Sequence, residues 1–387
     1  MENKAKEKKI KKILFISPRN PFASRFSGDV IRAKKFIEFF EKKYQITIIT
    51  IDNLKSVRKI GKTKIFTFKE KNIFLKLKYI FKSFTKFQPM QLGYFYSKEI
   101  NDYVKNNYKN FDIVFCQSVR SAQFVKSLKI KKKILDMGDL YSSNYYQTFK
   151  NTSAINPMRY IYLFESILMK KYELICFKNF HKILLFSKKD IQSTKNFKKK
   201  IIKIHFGIDK VFEKFKFNKN NNKIIFIGNI KYLPNRLACG NFIKKIFPKI
   251  LKINPDIKFH IIGEISKLNE FFWKKNRSIK IHGKVDNLKP LVARSFCGLA
   301  NLNISPGPNT KILTYMSYGI PCVASKIVLK NFHAIDPKIL PIYSNENELI
   351  KLIFKLKDNK KYSEYISKKS LVFIQKYKWE KVLKNII

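Results

Sequence analysis

Acidic residues are scarce in this sequence, and their scarcity sets its charge. Asp and Glu number 27 against 81 Lys and Arg, so the formal net charge is +54 over 387 residues. Such a charge favours anionic partners in general. The excess is spread over nearly every segment, together with abundant Ile, Asn, Phe and Tyr, as is typical of proteins from AT-rich genomes. No concentrated basic patch with interleaved aromatic residues stands out, which argues against a nucleic-acid-binding protein.

Cysteines and long apolar runs are also few. The five cysteines lie far apart and form no CxxC pair: Cys116, Cys176, Cys239, Cys297 and Cys322. This spacing indicates reduced, buried thiols in a cytoplasmic protein. Only four apolar residues follow the basic N-terminus before Ser17, which is too short for the core of a signal peptide. The longest apolar stretch, near Ile161, is interrupted by Glu165, Lys170 and Lys171, so no membrane span is predicted.

Glycine is rare too, with 12 in the whole chain, and the fingerprint GxGxxG is missing. A strand is predicted at Lys12 to Ser17, followed by a loop, a helix that opens at Gly28, and a strand at Tyr44 to Ile51. This order opens a doubly wound α/β domain, in which ligands bind beyond the carboxyl ends of the strands. The single glycine in the loop argues against a Rossmann dehydrogenase.

The first predicted domain covers residues 1–200. Its later elements are strands at Asp112 to Gln117, Lys133 to Met137 and Lys182 to Ser187, and helices at Ala122 to Leu128 and Met158 to Phe180. The segment ILDMGDLYSS places Asp136, Asp139, Ser142 and Ser143 at or just beyond the carboxyl end of one strand. That position favours a functional role, although Asp136 could equally be a loop cap.

Residues 72–90 predict a basic amphipathic helix. Apolar side chains cover one side of the helical wheel and lysines cover the other. Two interpretations are open. Residues 73–87 could lie on an anionic membrane surface, or the helix could cover the core and expose its lysines to solvent. The second is favoured, because most surface helices have this pattern.

The second half repeats the α/β pattern. Residues 201–222, rich in polar and charged residues, are the predicted linker, and residues 223–372 the second domain. A C-terminal helix at 373–387 could pack back on the first domain. Strands are predicted at Lys223 to Ile227, Ile257 to Gly263, Ile279 to His282 and Leu299 to Leu302, with a helix at Leu237 to Leu251. Two such domains usually hold their ligand in the cleft between them.

The segment Ser305 to Ser325, SPGPNTKILTYMSYGIPCVAS, predicts a tight loop, a short helix, a turn and a buried strand. The first amides of a helix lack intrahelical acceptors and lie at the positive end of its dipole. The loop is therefore a candidate phosphate site. An ordinary αβ unit explains the same pattern equally well.

Five collinear segments resemble the retaining glycosyltransferases of family 4, which have the GT-B fold. They are HFGID, IIFIGNIKYLPN, FPKILKINPDIKFHIIG, IHGKVDNLKPLV and NTKILTYMSYGIPCVAS. In the first half, the loop at Gly28, ILDMGDLYSS and the FE and YE pairs at Glu165 and Glu173 also fit. The resemblance covers about residues 12–325, and the sequence is most similar to sugar transferases of exopolysaccharide assembly. It implies two doubly wound, Rossmann-like domains that face each other across a cleft.

The resemblance also implies roles for particular residues. Catalytic roles fall on Asp139, Lys231 and Lys311, and donor-binding roles on Gly28, Gly228, Asn235, Lys284, Val285, Asn309, Thr310 and Thr314. The donor would be a nucleotide diphosphate sugar and the acceptor a glycan or a lipid-linked molecule. Basic side chains and helix amides would stabilise the departing nucleoside diphosphate, so no metal and no cofactor are expected. The expected location is the cytoplasm, at the inner face of the membrane.

One position departs from the family pattern. Thr314 stands where the family usually has the second glutamate of its E-x7-E pair, which bonds to the nucleotide ribose. A threonine hydroxyl is shorter and neutral, so donor binding could be weaker or activity lost. Two alternatives to a transferase therefore remain open: a peripheral membrane or scaffold protein with a degenerate GT-B fold, and a nucleotide-sugar epimerase on the same fold.

Overall fold

The computed structural model describes residues 10–23, 28–212, 215–303, 309–330, 335–384 and 386. The chain forms two compact units. The first holds the described residues up to Ile204 and those from Leu383 onward, and the second runs from His205 to Val382. Within the described residues, no helix combines the length and the apolar character that crossing a bilayer requires.

The first unit is built on an eight-stranded sheet. Its strands are β1 (Lys12–Ser17), β2 (Gln45–Asp52), β3 (Ser56–Ile60), β4 (Thr63–Lys69), β5 (Ile113–Gln117), β6 (Lys133–Gly138), β7 (Lys182–Leu185) and β8 (Ile201–Lys203). Its α-helices are α1 (Gly28–Phe40), α2 (Ile73–Thr85), α3 (Met90–Phe95), α4 (Lys98–Asn107), α5 (Tyr141–Asn151), α6 (Met158–Asn179) and α7 (Lys188–Ser193). Short 3-10 turns lie at Tyr108–Asn110, Ser121–Phe124 and Lys195–Lys200.

The strand order of this sheet is β3-β4-β2-β1-β5-β6-β7-β8, and all pairs are parallel except β3 with β4. The inner strands are apolar on both faces because helices cover both sides of a parallel sheet. On one side, α1 packs its phenylalanines on β1 and β5. The rings of Phe15 and Phe115 stack at 5.0 Å, and Phe36 lies 4.8 Å from Phe115.

The second unit has a six-stranded, fully parallel sheet. Its strands are β9 (Lys223–Ile227), β10 (Lys258–Ile262), β11 (Ile279–Ile281), β12 (Ser295–Ala300), β13 (Cys322–Ser325) and β14 (Ile342–Tyr343). Its helices are α8 (Leu233–Asn241), α9 (Phe247–Ile253), α10 (Lys267–Lys274), α11 (Lys289–Val292), α12 (Thr310–Ser317), α13 (Glu346–Asp358), α14 (Lys360–Ile374) and α15 (Trp379–Leu383), the last of which ends in the first unit. A π-helical turn, Phe242–Ile246, joins α8 to α9, and 3-10 turns lie at Lys326–Lys330 and Gln375–Tyr377.

The order β11-β10-β9-β12-β13-β14 is the doubly wound order 3-2-1-4-5-6. The first sheet contains the same order in β4-β2-β1-β5-β6-β7 and adds a strand at each side. The predicted class, two doubly wound α/β units, is confirmed. The predicted linker, 201–222, begins with β8, which is the last strand of the first sheet.

Two local predictions are wrong. The helix predicted at Ala122 to Leu128 is the 3-10 turn Ser121–Phe124. Ser118 adopts a positive φ of 70°, and the Ser121 hydroxyl lies 2.6 Å from the Gln117 carbonyl, so side-chain bonds of a turn replace the start of a helix.

The core-facing interpretation of residues 72–90 is the second wrong prediction. Most of the apolar side chains of α2 lie in solvent, whereas Tyr79 and Ile80 are half-buried and Ser83 is its buried residue. The helix rests on α3 through Tyr79 and Ser83. A Cβ at Gly93 of α3 would lie 2.2 Å from the Tyr79 carbonyl oxygen. Because Gly93 has no side chain, the two helix backbones can meet. The contact uses the side of α2 that carries Tyr79 and Ser83, and it leaves Phe74 and Phe81 exposed.

Candidate functional site

The second sheet reverses its strand order between β9 and β12. In doubly wound sheets, ligands bind beyond the carboxyl ends of the strands at this switch point. Here those ends are Ile227 and Ala300. Helix α12 begins at Thr310 and packs on the same two strands. It contains three of the predicted residues, Thr310, Lys311 and Thr314, and directly follows a fourth, Asn309.

Tyr315 fixes α12 against the two strands. Its hydroxyl accepts a hydrogen bond from the Ile227 amide at 2.9 Å and lies 3.1 Å from the Leu299 carbonyl. Beneath the ring, a Cβ at Gly298 would come within 2.6 Å of the aromatic carbons. A fully buried tyrosine therefore ties the helix to the ends of β9 and β12, and Gly298 provides the space for its ring.

Glycines end three neighbouring strands of this sheet. The Gly228 amide donates to the Ile262 carbonyl at 2.9 Å, and the Gly263 amide donates to the Gly283 carbonyl at 2.7 Å. Gly228 and Gly263 have φ values of +156° and +138°, and a Cβ at Gly263 would lie 2.0 Å from the Gly228 carbonyl oxygen. This edge of the sheet is thus mostly bare backbone, which lets a ligand approach the peptide groups closely.

Lys311 supplies a buried cation at the start of α12. It is only 7% exposed, and its ammonium donates to the Asn235 side-chain oxygen at 2.7 Å and lies 4.2 Å above the Phe226 ring. Asn235 is held in turn, because its amide donates to the Asn229 carbonyl at 2.8 Å. Burial lowers the pKa of Lys311 to about 8. A bound anion would restore the charge that burial disfavours.

The structure thus brings together three of the predicted residues: Gly228, Asn235 and Lys311. A Cβ at Gly228 would lie 2.9 Å from the Asn235 amide nitrogen. Asn309 is buried directly before α12, and Thr310 is its first residue. The predicted phosphate loop at 305–308 lies outside the described residues.

Thr314 is occupied within its own helix. Its hydroxyl donates to the Thr310 carbonyl at 3.1 Å. The hydroxyl hydrogen is therefore already used, and a ligand would find only the oxygen lone pairs.

The remaining predicted residues of this unit lie towards its surface. Lys231 has a 58% exposed side chain, with its ammonium 3.8 Å from a Glu264 carboxylate oxygen. Lys284 and Val285 follow Gly283 beyond β11, and Val285 packs against the core. An exposed, loosely paired lysine is free to turn towards a ligand, whereas Lys311 is already held in place.

Sequence reasoning missed Asn301, which directly follows β12 at the switch point. It is buried, and its amide donates to the Ala238 carbonyl at 2.8 Å. Its side-chain oxygen has no hydrogen-bond partner among the residues that the structure describes. Its place, one residue after a central strand, is the signal that could have identified it.

The first unit carries carboxylates at the same edge of its sheet. Arg32 of α1 forms a buried, bidentate ion pair with Asp136, with one bond of 2.7 Å. Asp136 is thus part of the structure rather than free for chemistry. Asp139 lies just beyond β6, and burial, with the charges of Asp190 and Asp136, raises its pKa to about 6. Asp139 can accordingly exchange a proton near neutral pH.

Glu173, which belongs to the predicted FE and YE pairs, is bound to the start of α5. One carboxylate oxygen accepts from the Ser142 amide at 3.0 Å and the other from its hydroxyl at 2.5 Å. Burial raises the pKa of Glu173 to about 7. Glu165 similarly accepts from the Met90 amide at 2.8 Å. Both glutamates therefore hold loops and helix starts in place.

Gly28 begins α1, directly after residues 24–27, which the structure does not describe. The next residue, Asp29, has its carbonyl bonded at 2.5 Å to the side-chain amide of Gln117 at the end of β5. This bond fixes the start of α1 at the switch point between β1 and β5. Throughout the described ranges, no three His, Cys, Asp or Glu side chains are grouped as a metal site would require.

Comparisons with known proteins agree with this architecture. Residues 221–356 match the family model "Glycosyl transferases group 1". Over 186 residues, the chain is 30% identical to a Klebsiella pneumoniae protein described as "Uncharacterized 44.6 kDa protein in cps region". That match spans 47% of this chain and 46% of the relative, so it covers about half the length of each.

Solved structures are similar over almost the whole chain. Anabaena HepE in complex with UDP and glucose has a TM-score of 0.64 at 10% identity, covering 97% of this chain and 98% of that one. S. aureus TarM has a TM-score of 0.64 at 13% identity, covering 97% of each chain. The trehalose-phosphate synthase (UDP-forming) of Burkholderia vietnamiensis has a TM-score of 0.64 at 9% identity, covering 97% of each. These similarities show that the fold is GT-B. The family match supports a glycosyltransferase domain at residues 221–356.

Proposed function

We propose that the chain is a retaining glycosyltransferase. It would move a sugar, as a hexosyl group, from a nucleotide diphosphate sugar to a glycan or lipid-linked acceptor in cell-surface polysaccharide synthesis. The match of residues 221–356 to a glycosyltransferase model supports the reaction class. The relative from a cps region supports the polysaccharide role.

The buried ammonium of Lys311 is the observation that carries this proposal. A lysine that is 7% exposed, with a pKa lowered to about 8, is costly to keep charged in a folded protein. It lies at the start of α12, whose first amides also favour an anion. Beside it, bare glycine backbone gives a diphosphate room to approach. These features together suit a nucleoside diphosphate better than a neutral ligand.

The proposed reaction requires stabilisation of a negatively charged leaving group. As the bond between sugar and diphosphate breaks, negative charge develops on the leaving phosphate oxygens. Lys311 and the first amides of α12 would stabilise that charge, with Lys231 as a second cation from its loop, and no metal is needed. Asp139, with a pKa near 6, would bond to a hydroxyl of the sugar or acceptor. Lys284 and Val285 would border the nucleotide base.

We propose the cytoplasm, at the inner face of the membrane, as the location. All five cysteines are free and buried, as expected of a chain that folds in a reducing compartment.

Calorimetric titration with UDP, GDP and ADP tests the donor site. UDP comes first, because the structures of HepE were solved with it. We expect one nucleotide to bind at micromolar affinity. Lys311→Ala should weaken this binding more than tenfold, about 1.4 kcal/mol. Lys289→Ala, which removes a lysine from α11, is the matched control and should leave the affinity within twofold. Equal affinities for wild type and Lys311→Ala would show that the phosphate site is elsewhere.

A short DNA duplex, titrated at low and moderate salt, separates nucleotide recognition from general basicity. Binding to DNA alone, falling steeply with salt, would contradict the transferase site. With a nucleotide sugar and acceptor, NMR of the product distinguishes the remaining alternatives. A glycoside with the donor's anomeric configuration supports retention, an altered sugar still on the nucleotide indicates an epimerase, and binding without turnover indicates a degenerate site.

A further inference from the structure

Helix α2 presents large apolar side chains to solvent. Phe74 is 77% exposed and Phe81 68%, and Ile73, Leu77 and Phe84 are exposed as well. Successive residues advance by about 100° around a helix. These five side chains therefore share one sector, away from the side on which Tyr79 and Ser83 pack against α3. The sector is a continuous apolar face rather than scattered exposure.

A further exposed apolar residue, Phe87, directly follows the C-cap of α2. The Gln88 amide bonds to the Ser83 carbonyl at 2.8 Å, and the Phe87 amide to the Phe84 carbonyl at 3.0 Å. Phe87 has a φ of +50°, the left-handed conformation that glycine usually takes after a helix. Its side chain is nevertheless 75% exposed. A phenylalanine here strains the backbone while three quarters of the residue stays in solvent, so folding gives little reason for it.

The start of α6 continues the surface. The ring of Phe84 lies 5.5 Å from the ring of Phe164. Tyr160 and Ile161 precede Phe164 by four and three residues, which places them on the same side of α6, and both are exposed. The apolar surface thus crosses from α2 to α6.

The two segments that form this surface contain no acidic residue. No Asp or Glu occurs from Lys71 to Lys98 or from Tyr141 to Phe164. Around α2, Lys78 and Lys82 border the apolar sector, and Lys86 lies between Phe84 and Phe87 in sequence. A flat apolar face with a lysine border matches a layer whose surface is anionic and whose interior is hydrocarbon.

We propose that α2, Phe87 and the start of α6 form a docking surface for a bilayer of anionic phospholipids. The phenylalanines would enter the boundary between headgroups and acyl chains, and Lys78, Lys82 and Lys86 would face the lipid phosphates. This binding is separate from the donor site and does not depend on the proposed reaction.

Vesicle flotation with a charge-neutral triple variant tests the proposal. A chain of charge +54 will bind anionic vesicles to some extent anywhere on its surface, so the decisive changes leave the charge unaltered. We expect Phe74→Ser/Phe81→Ser/Phe87→Gly to weaken binding to phosphatidylglycerol vesicles at least tenfold in 0.15 M salt. Leu268→Ser/Phe271→Ser/Phe272→Ser removes three exposed apolar residues from α10 and should change binding less than twofold. Equal loss in both triples, or in neither, would overturn the proposal.

The single variant Phe87→Gly is the control for unfolding as a cause of weaker vesicle binding. Glycine relieves the left-handed strain, so its melting temperature should rise slightly while vesicle binding falls severalfold. Weaker binding by a more stable protein cannot come from unfolding. Unchanged vesicle binding by this variant would remove Phe87 from the surface.

A tryptophan probe tests insertion. The native tryptophans, Trp273 and Trp379, are buried in the second unit. We expect the emission of Phe81→Trp to shift to the blue with anionic vesicles and to be quenched by brominated acyl chains, beyond any change in wild type. Vesicle binding without this extra quenching would show electrostatic adsorption through another surface. Failure to bind vesicles at all would point to a protein partner instead, and either result overturns the proposal.

Discussion

The carboxyl edges of the two sheets share a strand order but carry opposite chemistry. In the second unit, glycine backbone and the buried cation of Lys311 occupy the edge. In the first, the corresponding edge carries Asp136, Asp139 and, on the adjoining α6, Glu173, each in a buried or nearly buried position. Carboxylates are the minority charge in this chain. The composition alone would not place three of them at one edge, so their concentration there indicates a role at that site.

The two edges also hold their charges differently. Arg32 neutralises Asp136 through two bonds, and Ser142 donates two bonds to Glu173. Lys311 has the neutral oxygen of Asn235 and the face of Phe226. The first unit thus satisfies most of its buried charge internally. The second leaves its cation without a counter-ion among the described residues, as a site for an anionic ligand requires.

Of the changes that test this difference between the edges, removal of Arg32 should have the largest effect on stability. Arg32→Met leaves Asp136 buried without its cation, and we expect the free energy of unfolding of the first unit to fall by about 3–5 kcal/mol. Urea unfolding followed by circular dichroism should show an early transition. Emission of Trp273 and Trp379 reports the second unit and should change little. The double variant Arg32→Met/Asp136→Leu should recover much of the loss. A loss below about 1 kcal/mol in the single variant would show that the pair is not needed for stability.

The pH dependence of Glu173 is the next largest effect. Its folded pKa of about 7 lies above its ordinary value of 4.5 because of burial. The folded state therefore keeps a proton that the unfolded state releases, and the stabilisation present below pH 4.5 is lost as pH rises through 7. Relative to Glu173→Gln, wild type should lose about 2 kcal/mol between pH 5 and 8. Parallel stability curves for the two proteins would contradict the raised pKa.

Lys311→Met, unlike Arg32→Met, should stabilise the unit that contains it. At pH 7 the folded protein holds a buried charge, so the variant should be more stable by about 1 kcal/mol, less the lost bond to Asn235. The advantage should shrink between pH 8 and 10.5, where wild-type Lys311 is neutral when folded and charged when unfolded. Urea unfolding followed by tryptophan emission measures it. A large loss of stability in Lys311→Met would mean that the lysine supports the fold rather than a ligand.

Thr314→Glu should give the smallest effect. The hydroxyl of Thr314 donates to Thr310 and could accept from a ribose hydroxyl only as a neutral oxygen, whereas a carboxylate would accept with a negative charge, which makes a stronger hydrogen bond. We expect about threefold tighter binding of the preferred nucleoside diphosphate, about 0.7 kcal/mol, with unchanged binding of inorganic diphosphate. Thr314→Gln is the neutral control. An equal change for inorganic diphosphate would show that residue 314 does not act on the ribose.

The sequence predicts the central strands well. β1 and β9 begin and end where their apolar runs do, because strands covered on both faces must be apolar throughout. The edge strand β3, SVRKI, is exposed and has no such run, so its pattern gives no signal. The close approach of α2 to α3 is equally hidden, since it depends on Gly93 meeting Tyr79 in space.

The candidate site likewise contains residues that the sequence predicts and residues that it does not. Gly228, Asn235 and Lys311 were predicted because each lies in a segment with a recognisable pattern, and the structure brings them together. Arg32 was missed as the partner of Asp136 because 104 residues separate them and nothing local marks the pair. The roles of the predicted site residues stay predictions, since geometry places side chains but does not show a reaction.

The end of the chain has a consequence for the order of synthesis. Leu383 and Ile386 are fully buried, and Lys182 at the start of β7 donates to the Ile386 carbonyl at 3.2 Å. These residues belong to the first unit, yet a ribosome makes them after the whole of the second. Domains usually fold in the order in which they emerge. Here the unit that emerges first is completed last, so a nascent chain has all eight strands of the first sheet but lacks the buried contacts of Leu383 and Ile386 until translation passes residue 386.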